Sequence, residues 1–273
     1  MTMDKVKKGM ICIAGVNVYC EYLLNEKPPI LLIHGFVSST YTFNRLIPLL
    51  KEKFSVVAID LPGFGRSEKS KTFVYSFESY AAFIAECIDH FQLDGVTIVG
   101  HSMGGQIALY AAKRAPSKIK KLILICSSGY LKRARKSLIY CTYIPFFRFF
   151  VERYIRMKDV KKSLENVVYN RTLINKEMME EFARPLLEKD FYRSLIRLLR
   201  YREGDLSSEQ LREITIPTLL IWGEEDQVVP LSVGKRLVED LPNANLITYE
   251  KTGHLVTEER TEELYDQILS YTS

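Results

Sequence analysis

Five short runs in this chain are apolar along almost their whole length. They are Ile30–Ile33, Ser55–Ile59, Val96–Val99, Leu122–Cys126 and Thr218–Trp222. A strand with one wet face alternates; a run without alternation predicts a strand buried on both faces, as in a parallel sheet covered by helices. The segment Ile11–Leu24 does alternate, about Gly15-Val16-Asn17, and predicts an antiparallel hairpin ended by Pro28-Pro29. A last strand is expected at Leu246–Tyr249. Between the runs, apolar positions fall three and four apart, the helical period. That pattern holds around Phe43, Leu46, Ile47, Leu49 and Leu50, and again over Phe77–Phe91 through Tyr80, Phe83, Ile84, Cys87 and Ile88. It returns behind Val96–Val99 as far as Lys113, from Ser232 to Leu241, and from Glu258 to Tyr271.

The strand–helix rhythm stops between about Gly129 and Arg212, where the pattern is helical (Phe191, Leu195, Leu198, Leu199) and no strand is evident. The predicted fold class is therefore α/β: a mostly parallel central sheet flanked by helices, with a helical insertion. Residues 1–128 and 213–273 form the core domain, and 129–212 the insertion.

Charge marks off the same segment. The net charge is +5, but Ser128–Glu203 holds 18 Lys/Arg against 9 Asp/Glu, leaving 20 against 24 elsewhere. Lys132, Arg133, Arg135, Lys136, Lys161 and Lys162 read as a solvated helix face. The functional alternative is attraction of anionic substrates or transient contact with an anionic lipid surface. No nucleic-acid-binding module accompanies the charge, so nucleic acid is not an expected partner. The run Tyr140–Phe150 is unusually aromatic and is expected to line the boundary between insertion and core, or else an apolar pocket.

Composition changes the picture in two ways. At 273 residues and 47% hydrophobic, the chain can bury a full core. Its cysteines, Cys12, Cys20, Cys87, Cys126 and Cys141, are scattered, odd in number and without a Cys-x-x-Cys pair, which suits reduced buried thiols in the cytoplasm. Lys5, Lys7 and Lys8 precede a short apolar run that stops at Gly15, too short for a signal peptide, and no segment reaches the roughly 20 apolar residues of a bilayer span. A cytoplasmic location is expected.

The candidate chemistry begins at Gly100-His101-Ser102-Met103-Gly104-Gly105. A serine hydroxyl needs a base to become nucleophilic and a sharp turn to stand clear of the backbone. Gly100 and Gly104 leave room for that turn where strand meets helix. The helix N-terminus behind it aims N–H groups at developing negative charge. Partners should lie at the carboxyl ends of other strands. After Trp222 comes Gly223-Glu224-Glu225-Asp226, with three carboxylates among which the residues alone do not choose. After Tyr249 comes Gly253-His254, a base suited to neutral pH. Gly63 and Gly65 lack the following lysine of a phosphate loop and read as a tight structural loop, with Asp60 as a turn-stabilising carboxylate. His90 reads as an ordinary surface or core histidine, and Trp222 as core.

The motifs His34-Gly35-Phe36, Asp60-x-Pro62-Gly63-x-Gly65-x-Ser67, Gly100–Gly105, Trp222-Gly223-x-x-Asp226 and Gly253-His254 occur in that order. With them the chain resembles the α/β-hydrolase fold superfamily, in its serine hydrolase branch of carboxylesterases and monoacylglycerol-lipase-like enzymes. The resemblance implies a triad of Ser102, Asp226 and His254, an oxyanion hole of the Phe36 and Met103 backbone N–H groups, and elbow or loop roles for Gly35, Gly100 and Gly104. It implies that the insertion is a cap, or lid, and that His34 shapes the oxyanion loop rather than acting as base. His101, Val228 and Leu255 are pocket-lining candidates. Neither metal nor cofactor is expected.

The implied reaction is hydrolysis of carboxylic esters with apolar acyl or aryl groups through an acyl-enzyme. Dehalogenases and most epoxide hydrolases of the family use an aspartate nucleophile, which Ser102 disfavours. Carbon–carbon hydrolases of vinylogous diketones keep the serine, but their usual asparagine before it is His101 here, and their aromatic after the base is Leu255. They are the runner-up, beside cofactor-free perhydrolases (haloperoxidases). A non-catalytic binding scaffold is disfavoured because all three triad residues are present.

Overall fold

The computed structural model describes residues 5–157 and 159–273. Its centre is an eight-stranded sheet in the order β1-β2-β4-β3-β5-β6-β7-β8. The strands are β1 (Lys7–Ile13), β2 (Val16–Leu23), β3 (Pro29–Ile33), β4 (Ser55–Ile59), β5 (Val96–His101), β6 (Ile119–Ile125), β7 (Thr218–Gly223) and β8 (Ala244–Tyr249). β1 and β2 are the expected hairpin, and β2 pairs antiparallel to β4; every pairing from β4 across to β8 is parallel. The two strand types differ as their sequences require. β4, β5 and β7 are buried at every position, whereas edge strand β1 exposes Lys7 and Lys8.

Helices α1 (Ile47–Leu50), α2 (Phe77–His90), α3 (Met103–Arg114), α10 (Leu231–Asp240), α11 (Val256–Glu259) and α12 (Thr261–Thr272) cover the sheet. Six more lie between β6 and β7: α4 (Lys136–Cys141), α5 (Phe147–Arg156), α6 (Val160–Glu165), α7 (Lys176–Ala183), α8 (Lys189–Tyr201) and α9 (Ser208–Arg212). Two expected helices are broken. The Phe43–Leu50 pattern becomes a 3-10 turn (Thr40–Phe43) and then α1, because Pro48 provides no N–H to continue the ladder. The final helix divides at Arg260, whose φ of −136° leaves the helical region. Among the described residues no helix is long and apolar enough to cross a membrane.

Trp222 is fully buried, as expected of core. His90 lies exposed, its ring edge-on to Phe91. All five cysteines are free, but only Cys20, Cys87 and Cys126 are buried: Cys12 points outward from edge strand β1 and Cys141 is half-exposed. The aromatic run Tyr140–Phe150 departs most from expectation. Tyr140 is 71% exposed, Phe146 73% and Phe150 70%, so the run does not fill the boundary with the core. The cause lies in the helix faces. α5 packs against α8, and its half-buried Val151 and Ile155 turn to the core, leaving the neighbouring aromatic stripe exposed.

Candidate active site

β5 and α3 meet at Ser102, whose φ of 54° and ψ of −120° place a non-glycine residue in strained backbone. Close packing around it holds that conformation. A Cβ on Gly100 would lie 2.5 Å from Gly104 O, and one on Gly104 only 2.2 Å from Ile33 O. Ser102 N–H donates to Ile125 O (2.9 Å) and Ser102 O accepts from Ser128 N (3.0 Å), tying the elbow to the end of β6. A Cβ on Gly35 would come within 2.9 Å of Ser102 Cβ, so the loop after β3 runs directly against the serine.

The three carboxylates after β7 are separated by what they bind. Glu224 accepts from Thr248 Oγ1 (2.7 Å), and Glu225 from the Thr252 N–H (2.9 Å). Asp226 turns inward. Its Oδ1 accepts from the N–H groups of Val228 (2.8 Å) and Val229 (2.9 Å), and its Oδ2 accepts from His254 Nδ1 at 2.7 Å. Burial by itself would lift the Asp226 carboxyl. The bond from His254 and the two N–H donors outweigh it and hold the group below its ordinary value. The acid that the residues alone left open is thus the one that meets the imidazole.

His254 is 5% exposed. Among the described residues its imidazole forms no hydrogen bond to Ser102 Oγ, although both side chains line one cavity. In unliganded sites such contacts are often long and tighten with substrate. His101 lies beside it, ring centroids 4.8 Å apart, and its Nε2–H donates to His254 O (3.0 Å). Burial first, and then the neighbouring His254, push the His101 imidazole down to about 3, so it is neutral at any ordinary pH.

Neither the Phe36 nor the Met103 N–H donates to a protein acceptor among the described hydrogen bonds; Phe36 lines the cavity beside Ser102, and Met103 follows Ser102 as the first residue of α3. His34 shapes this loop. Its Nδ1–H donates to Gly35 O (2.7 Å), while Nε2 accepts from Leu61 N (2.9 Å). Full burial lowers its basicity, and both nitrogens are engaged, so it is no base. Asp60 likewise is structural, accepting from Thr40 N and Arg66 N at 2.6 Å each.

The cavity has a volume of about 740 Å³ and is walled mainly by hydrocarbon. Val228, His101 and Leu255 all line it; Val151, Leu164, Phe182 and Leu186 of the insertion roof it. Cys126, Asp226 and His254 bring potential metal-ligand atoms within 4.8 Å of one another, the one such cluster among the described residues. The donor set fits a metal poorly. The facing Asp226 and His254 atoms are bonded to each other, and burial pushes the Cys126 thiol well up, keeping it protonated.

A clasp without any sequence signal holds the insertion to the site. Glu259 Oε2 accepts from the N–H groups of Tyr169 and Asn170 (2.9 Å each) in the insertion, while its Oε1 accepts from Gly253 N (2.8 Å). Val167 O accepts from His254 N (2.8 Å), and a Cβ on Gly253 would lie 2.8 Å from Tyr169 N. The insertion therefore grips the base-bearing loop directly. Among several acidic residues near the C-terminus, no spacing signal distinguishes Glu259.

Its neighbour Glu258 is buried, with Oε1 unpartnered and Arg45 no nearer than 3.9 Å to Oε2. Burial raises its carboxyl from 4.5 to about 7, Arg45 opposing and Glu177 adding. Between those values the folded chain keeps a proton that the unfolded chain releases. The folded state is favoured at acid pH, and that advantage disappears as pH rises through 7. Glu258→Gln is expected to stabilise the protein by on the order of 2 kcal/mol at pH 8 and hardly at all at pH 4. Denaturant titrations of both proteins at the two pH values measure this; equal gains at both would remove the titration argument.

The family described as alpha/beta hydrolase fold matches residues 28–261. The chain is 45% identical over 94% of its length, and 94% of the relative's, to the "uncharacterized hydrolase YugF" of Bacillus subtilis strain 168. It is 28% identical to a 2-hydroxy-6-oxo-2,4-heptadienoate hydrolase of Pseudomonas putida, covering 94% of this chain and 93% of that one. Among solved structures, a membrane phospholipase A described as a bacterial virulence factor superposes with a TM-score of 0.81 at 26% identity, covering 98% of this chain and 86% of that one.

Proposed function

The chain belongs to the α/β-hydrolase family, and from that premise we propose that it is a serine hydrolase of carboxylic esters with apolar acyl or aryl groups. Ser102 Oγ attacks the ester carbonyl as His254 Nε2 takes its proton, and the Phe36 and Met103 N–H groups receive the oxyanion. Collapse expels the alkoxide, which takes the proton from His254 and leaves as alcohol. Water, deprotonated by the same imidazole, then attacks the acyl-enzyme and releases the acid, restoring Ser102. Asp226 keeps the imidazole proton on Nδ1 and stabilises the imidazolium. Each oxyanion donor is worth about 10²–10³ in rate.

The observation carrying the ester reading is the hydrocarbon cavity opening on Ser102. It offers a neutral acyl chain burial at about 25 cal/mol per Å². The phospholipase A among the structural relatives also cleaves esters. The relative named for 2-hydroxy-6-oxo-2,4-heptadienoate supports carbon–carbon hydrolysis as a second reading. Against it, a dienoate carboxylate would be desolvated among carbon atoms, since no Lys or Arg is among the described lining residues. Five free thiols support a reducing, cytoplasmic setting.

Assaying p-nitrophenyl esters from acetate to laurate beside a vinylogous diketone tests the proposal. We expect kcat/KM to rise about tenfold or more from acetate to the medium chains, as about 1.4 kcal/mol of added burial would give, and turnover of the diketone to be at least about a hundredfold slower. Faster diketone cleavage would transfer the assignment to the second reading.

A further inference from the structure

One face of α5 is left largely exposed among the described residues. Phe146, Phe149, Phe150, Arg153, Tyr154 and Met157 follow helical spacing, and every one of them is exposed, Phe146 and Met157 at 73%. Leu138 and Tyr140 of α4, with Tyr143 and Ile144 of the connection, extend the exposed apolar surface. Folded monomers seldom leave a contiguous apolar face of this kind to water unless it binds something. α5 is otherwise in use, packed on α8, with Val151 and Ile155 half-buried against the core.

Charge selects the occupant. Residues 131–162 contain ten Lys/Arg and two Asp/Glu. A second copy would set this cationic surface against itself, and like charges held face to face repel. An anionic bilayer complements it. Aromatic side chains enter the headgroup layer, while Arg and Lys extend alongside to the lipid phosphates. We propose that the α4–α5 face docks reversibly on an anionic lipid bilayer.

The position of the face gives docking a consequence. Phe150 and Tyr154 belong both to the exposed stripe and to the cavity wall, with Val151 and Ile155 beside them. A docked molecule would hold the cavity rim against the lipid, so an apolar substrate could pass to Ser102 without crossing bulk water. This consequence rests on the proposed hydrolase activity; the docking does not.

Flotation of the full chain with vesicles tests the docking independently of turnover. With equal parts phosphatidylglycerol and phosphatidylcholine, we expect at least tenfold more bound protein than with phosphatidylcholine alone. Binding should fall at about 1 M salt, where the Debye length shrinks to about 3 Å. Tyr140→Ser/Phe146→Ser/Phe149→Ser and, separately, Lys132→Glu/Arg135→Glu/Lys136→Glu should each reduce flotation about tenfold. Both variants should retain wild-type melting and hydrolysis of a soluble short ester, since none of these side chains lines the cavity. Wild-type protein that stays unbound, binds neutral vesicles equally or is unaffected by both sets of changes would overturn the proposal. So would a dimer that the aromatic substitutions dissolve while vesicle binding is absent, which would assign the face to a second copy.

Discussion

Ser102→Ala is expected to lower kcat/KM for p-nitrophenyl esters by about 10⁶-fold, the loss measured when such a nucleophile is removed elsewhere. Covalent labelling by a fluorophosphonate should vanish with it. The size follows from the role: without the hydroxyl no acyl-enzyme forms, and polarisation by the two N–H donors can assist only direct attack by water. Folding should be untouched, within about 0.5 kcal/mol. The Ser102 side chain makes no hydrogen bond among the described residues, and alanine suffers the strained φ of 54° no more than serine does. Loss of activity with unchanged melting therefore assigns the hydroxyl a chemical role. Labelling that survived the substitution would place the nucleophile elsewhere.

The inner strands of the sheet were legible because they are buried on both faces. Leu31, Val57, Ile98, Ile123 and Leu220 sit in nearly unbroken apolar runs that a half-wet strand or a surface helix would not tolerate. The helical reading of Phe43–Leu50 failed for a local reason. Its spacing satisfies a helix, but Pro48 shortens it, and the Ser39 cap starts a tighter turn. Periodicity records which side of a segment meets apolar surroundings, not which hydrogen bonds close it.

The site was legible wherever a residue's role is written in its immediate neighbours. Gly100 and Gly104 declare the elbow because any side chain there would strike backbone. Roles set by distant contacts were hidden. Nothing in Glu224-Glu225-Asp226 shows that Thr248 and Thr252 engage the first two, leaving the third for the imidazole. The Glu259 clasp joins segments 90 and 89 positions apart, and no local pattern encodes it. The aromatic run was visible but only in part rightly placed: Phe150 reaches the cavity, whereas Tyr140, Phe146 and Phe149 face outward. Sequence reports hydrophobicity, and hydrophobic side chains are expected inside. Only the packing of α5 on α8 reveals that this stripe faces outward.

Asp226→Asn is the second large effect, and this structure gives it a direction. Asp226 Oδ1 accepts two backbone N–H groups, from Val228 and Val229, so an asparagine there must keep its carbonyl oxygen on them. Its amide NH₂ is then turned towards His254 Nδ1. An amide NH₂ only donates, so the facing Nδ1 must accept, and the imidazole proton moves to Nε2. That is the atom needed to take the proton of Ser102. The wrong tautomer should lower kcat about 10⁴-fold, as in a comparable triad, with KM changed only a few-fold because the cavity is intact. Glu225 cannot substitute while it accepts from Thr252 N. The stability of the variant should also lose part of its acid dependence. The Asp226 carboxyl lies below its ordinary value when folded, so its contribution is present at neutral pH and lost as pH falls through that lowered value. Stopped assays of kcat and KM with unfolding curves at neutral and acid pH provide the test. An Asp226→Asn enzyme retaining more than about a tenth of wild-type kcat would mean that the Asp226–His254 contact does not govern the base.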